Sequence, residues 1–300
     1  MEKTAKVLVF GSTGFIGQHL MRHIAENRSD SSVACFNKSG GNDIRDYASV
    51  FSFVKKADLV INLAGSPVND RGWSRIKKTL ETDGLGAAHI LHASRATNTP
   101  LIHVSSAEVY GTNVHPGRPM PEEHPLHPKN PYGVAKKTAE ETAFALMRAG
   151  APIRVLRLFN PYGTGDTKSA DFIPRLVRQA ITEGNLPLSN NGIRRRDWIF
   201  AKDAAEAIWA SRNARPGVYN IARGVFYSDM EVARLVQREV RSAIRTKSRV
   251  VSLPCQTPVN EPLEQYGDPS RFFEETGWHA RTSLEEGIRH SINFYLEQYA

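Results

Sequence analysis

A glycine-rich turn directly after a short apolar segment constrains the fold of this chain more than any other feature. Residues 5–10 read AKVLVF, a run typical of a buried strand, and GSTGFIG follows at once. Gly11 allows a tight turn, Gly14 lets the backbone approach a pyrophosphate, and Gly17 lets a helix pack closely on the strand. The N-terminus of that helix would face the anion. The turn therefore predicts a strand–turn–helix unit that binds a dinucleotide.

Apolar segments alternate with segments of helical spacing over the first 160 residues. The predicted strands that follow the first are Ser32–Phe36, Leu59–Leu63, Leu101–Val104 and Ile153–Leu158. The predicted helices between them are Gln18–Glu26, Tyr47–Val54, Ile76–Ser94 and Tyr132–Arg148. This alternation favours a parallel sheet with helices on both faces. We predict an α/β fold, a Rossmann-type doubly wound parallel sheet with a smaller C-terminal α/β substrate lobe.

The length of the chain bounds its domain organisation. With 300 residues it can form one large α/β unit and a smaller lobe. We predict a dinucleotide-binding domain at residues 1–165, and we expect residues 166–300 to form mostly the substrate-binding lobe. A strand and a helix near residues 193–222 are predicted to return to the first domain.

The composition is that of an ordinary globular protein, with 40% hydrophobic and 23% charged residues. No apolar run approaches the roughly 20 residues of a membrane span. The first residues, MEKTAKVLVF, have no signal-peptide anatomy, so we expect a cytoplasmic protein without membrane contact. Cys35 and Cys255 fit no metal or redox spacing, and we expect free thiols and no metal site.

The formal net charge of +8 favours acidic ligands such as phosphates. Nucleic acid would also explain the charge, but the chain has no basic tail and no basic stretch interleaved with aromatic residues. We therefore expect a phosphate-bearing small molecule as ligand and no nucleic acid.

Tyr132 and Lys136 are four residues apart in a predicted helix, so their side chains lie on one face. An ammonium beside a phenol stabilises the phenolate, which lets tyrosine exchange a proton near neutral pH. Ser106 could supply another hydrogen bond to the substrate oxygen whose proton moves. A surface pair would have the same spacing, and only its position in a dinucleotide-binding fold favours the catalytic interpretation.

The end of the second predicted strand indicates which dinucleotide is bound. An acidic residue there would bind a ribose 2′-hydroxyl, whereas basic or neutral residues accommodate a 2′-phosphate. The chain reads Asn37-Lys38-Ser39, so NADP is the first choice and NAD the second. Lys38 as a merely solvated loop residue is the alternative. Asp43, next to Ile44, suits a contact with the adenine amine, and the turn at residues 63–65 is expected to pass under the cofactor.

Taken together, the motifs of this chain resemble those of one family. They are, in order, GSTGFIG, DIRD, NLAG, SSAEVYG, NPYGVAKK, LRLFNPYG, RRRDWIFAKDAAEAI, VYNIA, ETGW and SLEEGI. The chain resembles the extended short-chain dehydrogenase/reductase family, in particular its NAD(P)-dependent sugar-nucleotide epimerase, dehydratase and reductase branch. The resemblance covers essentially the whole chain, and the order and spacing of the motifs are specific although each alone is common.

The resemblance implies that Ser106, Tyr132 and Lys136 are catalytic, and that Lys136 also holds the nicotinamide ribose. It implies substrate contacts from Ser106, Asn160 and Arg196, with Arg196 on the diphosphate. The residues expected to contact the cofactor are Gly11, Thr13, Gly14, Phe15, Ile16, Gly17, Asn37, Lys38, Asp43, Ile44, Leu63, Ala64, Gly65, Tyr132 and Lys136.

Two departures from the family pattern affect the site. Many members have an Arg-Pro pair, whose arginine contacts the diphosphate, where this chain reads Asn260-Glu261-Pro262. Arg271 or Arg223 could make this contact instead, but each could equally be a surface charge. Asp83 stands where the family often has an asparagine near the cofactor, and the sequence offers no physical reason for that change.

The reaction within this branch depends on residues 106–108. Glu108 matches the glutamate with which sugar-nucleotide 4,6-dehydratases remove a proton, so it is a possible catalytic residue. Those dehydratases typically place an acid just before it, whereas this chain has Ala107. Because a net reductase consumes NADPH, the residues at the second strand favour an NADP-dependent reductase of a nucleotide-linked 4-keto-6-deoxy sugar. In this reaction C4 receives hydride and Tyr132 gives a proton to the oxygen.

Other interpretations use the same residues. A sugar-nucleotide 4-epimerase, or a 4,6-dehydratase, would keep NAD tightly bound, and a non-catalytic NAD(P)-binding sensor would be expected to lose the catalytic set that this chain retains. The sequence does not identify the nucleotide base or the sugar stereochemistry. The resemblance also implies a homodimer formed by the helices predicted at Ile76–Ser94 and Tyr132–Arg148, in which Ala139 and Ala143 could belong to the core or to the interface.

Overall fold

The computed structural model describes residues 5–27, 31–66, 73–165, 171–244, 247–253 and 262–299. Its strands are β1 Ala5–Phe10, β2 Ser31–Phe36, β3 Leu59–Asn62, β4 Leu101–Ser106, β5 Ile153–Leu158, β6 Pro161–Tyr162, β7 Asn185–Leu188, β8 Arg195–Asp197, β9 Ile199–Phe200, β10 Gly217–Ile221, β11 Phe226–Ser228, β12 Arg249–Ser252 and β13 Glu264–Gln265. Its α-helices are α1 Phe15–Glu26, α2 Tyr47–Val54, α3 Ile76–Thr79, α4 Ala87–Thr97, α5 Pro131–Arg148, α6 Phe172–Thr182, α7 Ala201–Ala210, α8 Asp229–Ile244, α9 Ser270–Thr276 and α10 Leu284–Tyr299.

Six parallel strands form the main sheet, in the order β10-β5-β4-β3-β1-β2. The chain moves outward from β1 to β2 and then crosses to β3 on the other side of β1. Such a reversal opens a crevice at the carboxyl ends of the strands, where ligands of open α/β sheets bind. The predicted doubly wound parallel sheet is confirmed.

Alternate side chains of each strand enter two separate cores. Val7 and Val9 of β1 pack with α1 and α7, whereas Leu8 and Phe10 pack with α2, α4 and α5. This follows from the two-residue period of a strand, and both faces are apolar because helices cover both. Ala139 and Ala143 of α5 are fully buried in the second of these cores, so within the chain they serve the core.

The later part of the chain supplies both the smaller lobe and elements of the large sheet. Helices α6, α8 and α10 share a third core with the strand β7, which pairs with β12. The strand β10 pairs with β5, and α7 packs against α1. The strand β10 and the helix α7 thus lie with the large sheet, and the division into two domains with a boundary at residue 165 stays a prediction.

The helix predicted at Ile76–Ser94 is not regular. A π-helical segment, Leu80–Gly86, separates α3 from α4. Gly84 and Gly86 lie in this segment, and a Cβ on Gly86 would be 2.6 Å from the Ile44 side chain. Glycine has low helix propensity, and wide turns of this kind often occur at functional sites. None of the helices in the described ranges combines the length and the apolar character that a membrane span requires.

Candidate active site

The glycine turn after β1 packs directly on the turn after β3. Gly11 has a φ of +78°, and a Cβ there would lie 2.8 Å from the Ala64 backbone nitrogen. A Cβ on Gly17 would lie 2.2 Å from the Gly11 carbonyl oxygen. Only glycine allows this approach of helix to strand, as predicted for positions 11 and 17.

The Gly17→Ala variant is expected to lose cofactor binding and about 1–3 kcal/mol of unfolding free energy, because α1 must move away from the turn. Fluorescence titration with reduced cofactor and urea denaturation measure the two effects. Gly184→Ala is the control for cofactor affinity, since no atom lies within 4 Å of the added Cβ; its φ of +71° strains alanine and lowers stability by itself. Unchanged cofactor affinity in Gly17→Ala would contradict this role.

The N-terminus of α1 is suited to an anion. Gly14 is its N-cap and no side chain caps the helix, so backbone N–H groups of the first turn remain available. Thr13 and Gly14 are exposed, while Phe15 and Ile16 are half-buried beside them. Uncapped N–H groups at a helix N-terminus bind phosphate oxygens, so these residues fit the diphosphate of a dinucleotide.

The end of β2 carries no acid. Asn37 donates from Nδ2 to Ser12 Oγ at 2.9 Å and is thereby held beside the glycine turn. Lys38 and Ser39 are exposed next to it. The preference for NADP over NAD stays a prediction.

Asp43 and Ile44 have other contacts in the structure. The Arg45 guanidinium lies 2.6 Å from the Asp43 carboxylate and lowers the pKa of that carboxyl to about 2. Ile44 is buried, and its carbonyl lies 3.1 Å from His89 Nδ1. A contact of Asp43 with adenine stays a prediction.

Tyr132 and Lys136 lie one turn apart at the start of α5. The Lys136 Nζ is 5.6 Å from the centre of the Tyr132 ring. Lys136 is buried and donates to the Val104 carbonyl at 3.1 Å, near the carboxyl end of β4. Tyr132 is partly exposed. The predicted pair therefore meets at the edge of the sheet where a nicotinamide and a substrate would bind.

Asp83 completes this group, although no pattern in the sequence predicts its contact with Lys136. Its Oδ1 lies 3.6 Å from Lys136 Nζ, and both side chains are buried. Its Oδ2 accepts a hydrogen bond from the Ser66 backbone N–H at 2.9 Å. The signal in the sequence is the pair of glycines at positions 84 and 86, which interrupts a helical pattern and leads to the π-helical segment.

Ser106 and Glu108 lie beside the first turn of α5. Ser106 Oγ accepts from the Glu108 N–H at 3.2 Å, and Glu108 Oε2 accepts from Asn130 Nδ2 at 2.7 Å. Asn130 is the N-cap of α5 and accepts from the Gly133 N–H. A Cβ on Gly133 would be 2.5 Å from the Glu108 carbonyl oxygen, so glycine lets the helix start close to Ser106. Glu108 thus holds the N-cap of the helix that carries Tyr132.

A buried network fixes α5 from behind. The Glu140 carboxylate accepts from Arg157 at 2.7 Å and from Ser105 Oγ at 2.5 Å. Arg157 also donates to Tyr110 Oη at 2.9 Å. Burial alone would lower the pKa of Arg157, but the Glu140 carboxylate raises it above its ordinary value. The network joins α5 to β4 and β5, and α5 and β4 carry the predicted catalytic residues Tyr132, Lys136 and Ser106.

Arg196 is a buried cation without a carboxylate partner within ion-pairing distance in the described part of the chain. It donates to the Arg195 and Pro262 carbonyls at 3.0 and 2.6 Å. Burial lowers the pKa of Arg196, and the nearby Glu108 opposes that shift. A buried guanidinium that lacks a counter-ion is well suited to an anionic ligand.

The other predicted substrate residues are engaged within the fold. Asn160 donates from Nδ2 to the Asp197 carbonyl at 2.9 Å, at the end of β5. The Asp197 carboxylate accepts from the Arg223 and Gly224 N–H groups, and burial raises the pKa of Asp197 to about 7. Arg271 lies between two carboxylates, in contact with Glu123 and 3.6 Å from Glu122. Of the arginines proposed from sequence, Arg196 has the arrangement expected of an anion ligand, and Asn260 and Glu261 lie outside the described residues.

The comparisons with known proteins identify the family of this chain and agree with its fold. The model of the NAD dependent epimerase/dehydratase family matches residues 7–222. A dTDP-glucose 4,6-dehydratase of Streptomyces antibioticus is 27% identical over 98% of this chain and 93% of its own length. Among solved structures, the UDP-glucose 4-epimerase of Thermotoga maritima with UDP-glucose superposes with a TM-score of 0.86 at 21% identity, covering 98% of this chain and 100% of its own. RMD from Pseudomonas aeruginosa, complexed with NADPH, gives 0.84 at 23% identity with the same coverage of both chains.

Proposed function

Because this chain belongs to the NAD dependent epimerase/dehydratase family, we propose that it oxidises and reduces C4 of a nucleotide-linked hexose without eliminating water, as a 4-epimerase. The observation that carries the proposal is the group formed by Tyr132 and Lys136 at the open edge of the sheet, beside a glycine turn suited to a dinucleotide. The sugar-nucleotide 4,6-dehydratases typically carry an acid just before the position of Glu108, whereas this chain has Ala107, and this favours epimerisation over dehydration.

The residues of this chain would act as follows. In the oxidising direction the Tyr132 phenolate takes the proton of the C4 hydroxyl while the C4–H bond gives up a hydride. Lys136 stabilises that phenolate by its charge, and Ser106 donates a hydrogen bond to the same oxygen. The dinucleotide, when bound, supplies the acceptor and later the donor of the hydride. In the return step Tyr132 gives its proton to the carbonyl oxygen, so protons and electrons balance over the cycle.

A second candidate is the NADPH-dependent reductase of a 4-keto-6-deoxy sugar nucleotide. The specific observation that favours it is the end of β2, where Lys38 is exposed and no acid is present. A net reduction consumes one reduced cofactor per turnover, so it would use NADPH. The same Tyr132 would then begin protonated.

Two assays with the purified protein separate these reactions. UDP-, dTDP- and GDP-hexoses are incubated with NAD or NADP, and the sugar is analysed by NMR for the C4 epimer. The 4-keto-6-deoxy sugar nucleotides are incubated with NADPH and the loss of cofactor absorbance is followed. Epimer formation without net cofactor loss supports the main proposal, and stoichiometric NADPH loss supports the second. Formation of a 4-keto-6-deoxy sugar from a hexose substrate would contradict both, because it requires the elimination that we exclude.

The Arg196→Met variant is expected to weaken binding of a free nucleoside diphosphate by about 10- to 100-fold, because it removes charged hydrogen bonds to the anion. Its unfolding free energy is expected to fall by about 1–3 kcal/mol, because the carbonyls of Arg195 and Pro262 lose their donor. Isothermal titration calorimetry with UDP, dTDP and GDP measures the first effect. Arg195→Met is the control, because Arg195 is about half exposed and paired with Glu264. Equal affinities in the two variants would remove Arg196 from the diphosphate site.

A further inference from the structure

The buried pair of Asp83 and Lys136 has a consequence for the chemistry of Tyr132. We propose that Asp83 is a positioning residue: it is the counter-ion that holds the Lys136 ammonium in place beside Tyr132, where that charge stabilises the phenolate. The proposal rests on the proposed function only for the role of Tyr132, and its test needs no substrate.

Lys136 needs a counter-ion because of its surroundings. Only 3% of its surface is exposed, and its hydrogen bond to the Val104 carbonyl adds no opposite charge. A lysine buried without an opposite charge loses its proton far more easily than a solvated one. In the described part of the chain, Asp83 is the carboxylate that lies within ion-pairing distance of this ammonium.

The carboxylate of Asp83 is itself held towards the ammonium. Its Oδ2 is fixed by the Ser66 N–H, whereas its buried Oδ1 accepts no hydrogen bond from the described residues and faces Lys136 at 3.6 Å. A Cβ on Gly65 would lie 2.7 Å from that Oδ1. Glycine at position 65 therefore leaves the space that the carboxylate occupies.

Other ionisable groups near the start of α5 do not replace Asp83. Burial lowers the pKa of His103 to about 3, so this imidazole is neutral at physiological pH. Arg157 of β5 is paired with Glu140 of α5, and Glu108 is hydrogen-bonded to Asn130. Of the charged groups on the remaining elements that pack on α5, Lys77 of α3 lies 3.9 Å from Glu81 and His89 of α4 lies 3.1 Å from the Ile44 carbonyl. His92 of α4 stacks on Tyr47, and Arg154 of β5 donates to the Ala214 carbonyl.

Removal of the Asp83 charge should therefore act on Tyr132 through Lys136. In Asp83→Asn the buried ammonium no longer has an opposite charge beside it, so less of that charge remains to stabilise the phenolate. Because the phenol and the ammonium titrate as a coupled pair, the tyrosine itself must be observed. The midpoint of Tyr132 ionisation is expected to rise by about one pH unit.

The experiment is an ultraviolet titration of the phenolate in the full-length protein without substrate. The chain has 9 tyrosines, so the spectrum of the matching Tyr132→Phe protein is subtracted in each background. Glu81→Gln is the control, because it removes the same charge from a partly exposed position of the same π-helical segment. We expect Asp83→Asn to raise the midpoint and Glu81→Gln to leave it unchanged.

A midpoint that stays the same or falls in folded Asp83→Asn overturns the proposal. Gly65→Ala provides a second variant if Asp83→Asn does not fold, since the added methyl group pushes Oδ1 away from Lys136 and should raise the midpoint by a smaller amount. An unchanged midpoint in that variant also overturns it. Absence of turnover with every sugar nucleotide would overturn the proposed function while leaving this titration fully informative.

Discussion

Tyr132→Phe is expected to lower kcat by about 10²–10⁴-fold at unchanged cofactor affinity. The variant keeps the ring near Lys136 and removes only the hydroxyl that carries the proton. Without this hydroxyl, no group accepts the proton of the C4 hydroxyl when the sugar is oxidised. In the reducing direction, no group donates a proton to the carbonyl oxygen. The loss should therefore appear in kcat, because the interaction is made only as the proton moves.

Steady-state kinetics with the substrate identified by the assays above, together with fluorescence titration of the reduced cofactor, measure both quantities. Tyr219→Phe is the matched control, because it removes a hydroxyl that donates to the Arg215 carbonyl at 2.9 Å on the far strand β10. Its kcat should equal that of the unmodified protein. Retained turnover in Tyr132→Phe would show that another group carries the proton.

Glu140→Gln is expected to lower the free energy of unfolding by about 3–5 kcal/mol, because it leaves a buried charge without its partner. Both members of the pair are buried, and Arg157 donates to the carboxylate from Nε and Nη2 at distances of 2.7 to 3.2 Å. Since the Glu140 carboxylate raises the pKa of Arg157, the guanidinium stays charged in the folded protein at any ordinary pH.

Urea denaturation followed by circular dichroism measures this loss. Glu141→Gln is the control, because it makes the same change at the next, exposed position of α5. The double variant Glu140→Gln/Arg157→Met should recover much of the stability, since an apolar side chain then fills the place of the stranded cation. Equal unfolding midpoints for Glu140→Gln and Glu141→Gln would mean that the pair does not hold α5 on the sheet.

The main sheet could be predicted from the sequence because its signals are local. Each buried strand is a short apolar run, and each helix carries a periodic apolar face, so the alternation itself indicates a parallel sheet. Gly11 and Gly17 also indicate close backbone contacts that leave no room for a side chain, as in the tight turn between a strand and a helix. The short strands β8 and β9 are different, because β8 pairs with β11 and β13 while β9 pairs with β6. Nothing local in RRRDWIF selects those partners.

The site could be predicted only in part for the same reason. Tyr132 and Lys136 are related by one helical turn, which the sequence spacing reveals. Asp83 reaches Lys136 from a different helix through a π-helical segment, and helical periodicity does not predict such a segment. Arg157 indicates a buried ion pair, because an arginine inside the apolar strand IRVLRL needs a buried partner. Only the fold identifies that partner as Glu140.

The most direct measurement of the central claim is the transfer of hydrogen from C4 of the sugar to the dinucleotide. UDP-, dTDP- and GDP-hexoses carrying deuterium at C4 are mixed with excess protein and NAD or NADP, and the dinucleotide is analysed by mass spectrometry within a single turnover. The account predicts reduced dinucleotide that carries deuterium for at least one of these sugars, and none with Tyr132→Phe. Unlabelled, oxidised dinucleotide in every case, with cofactor binding intact, would contradict it.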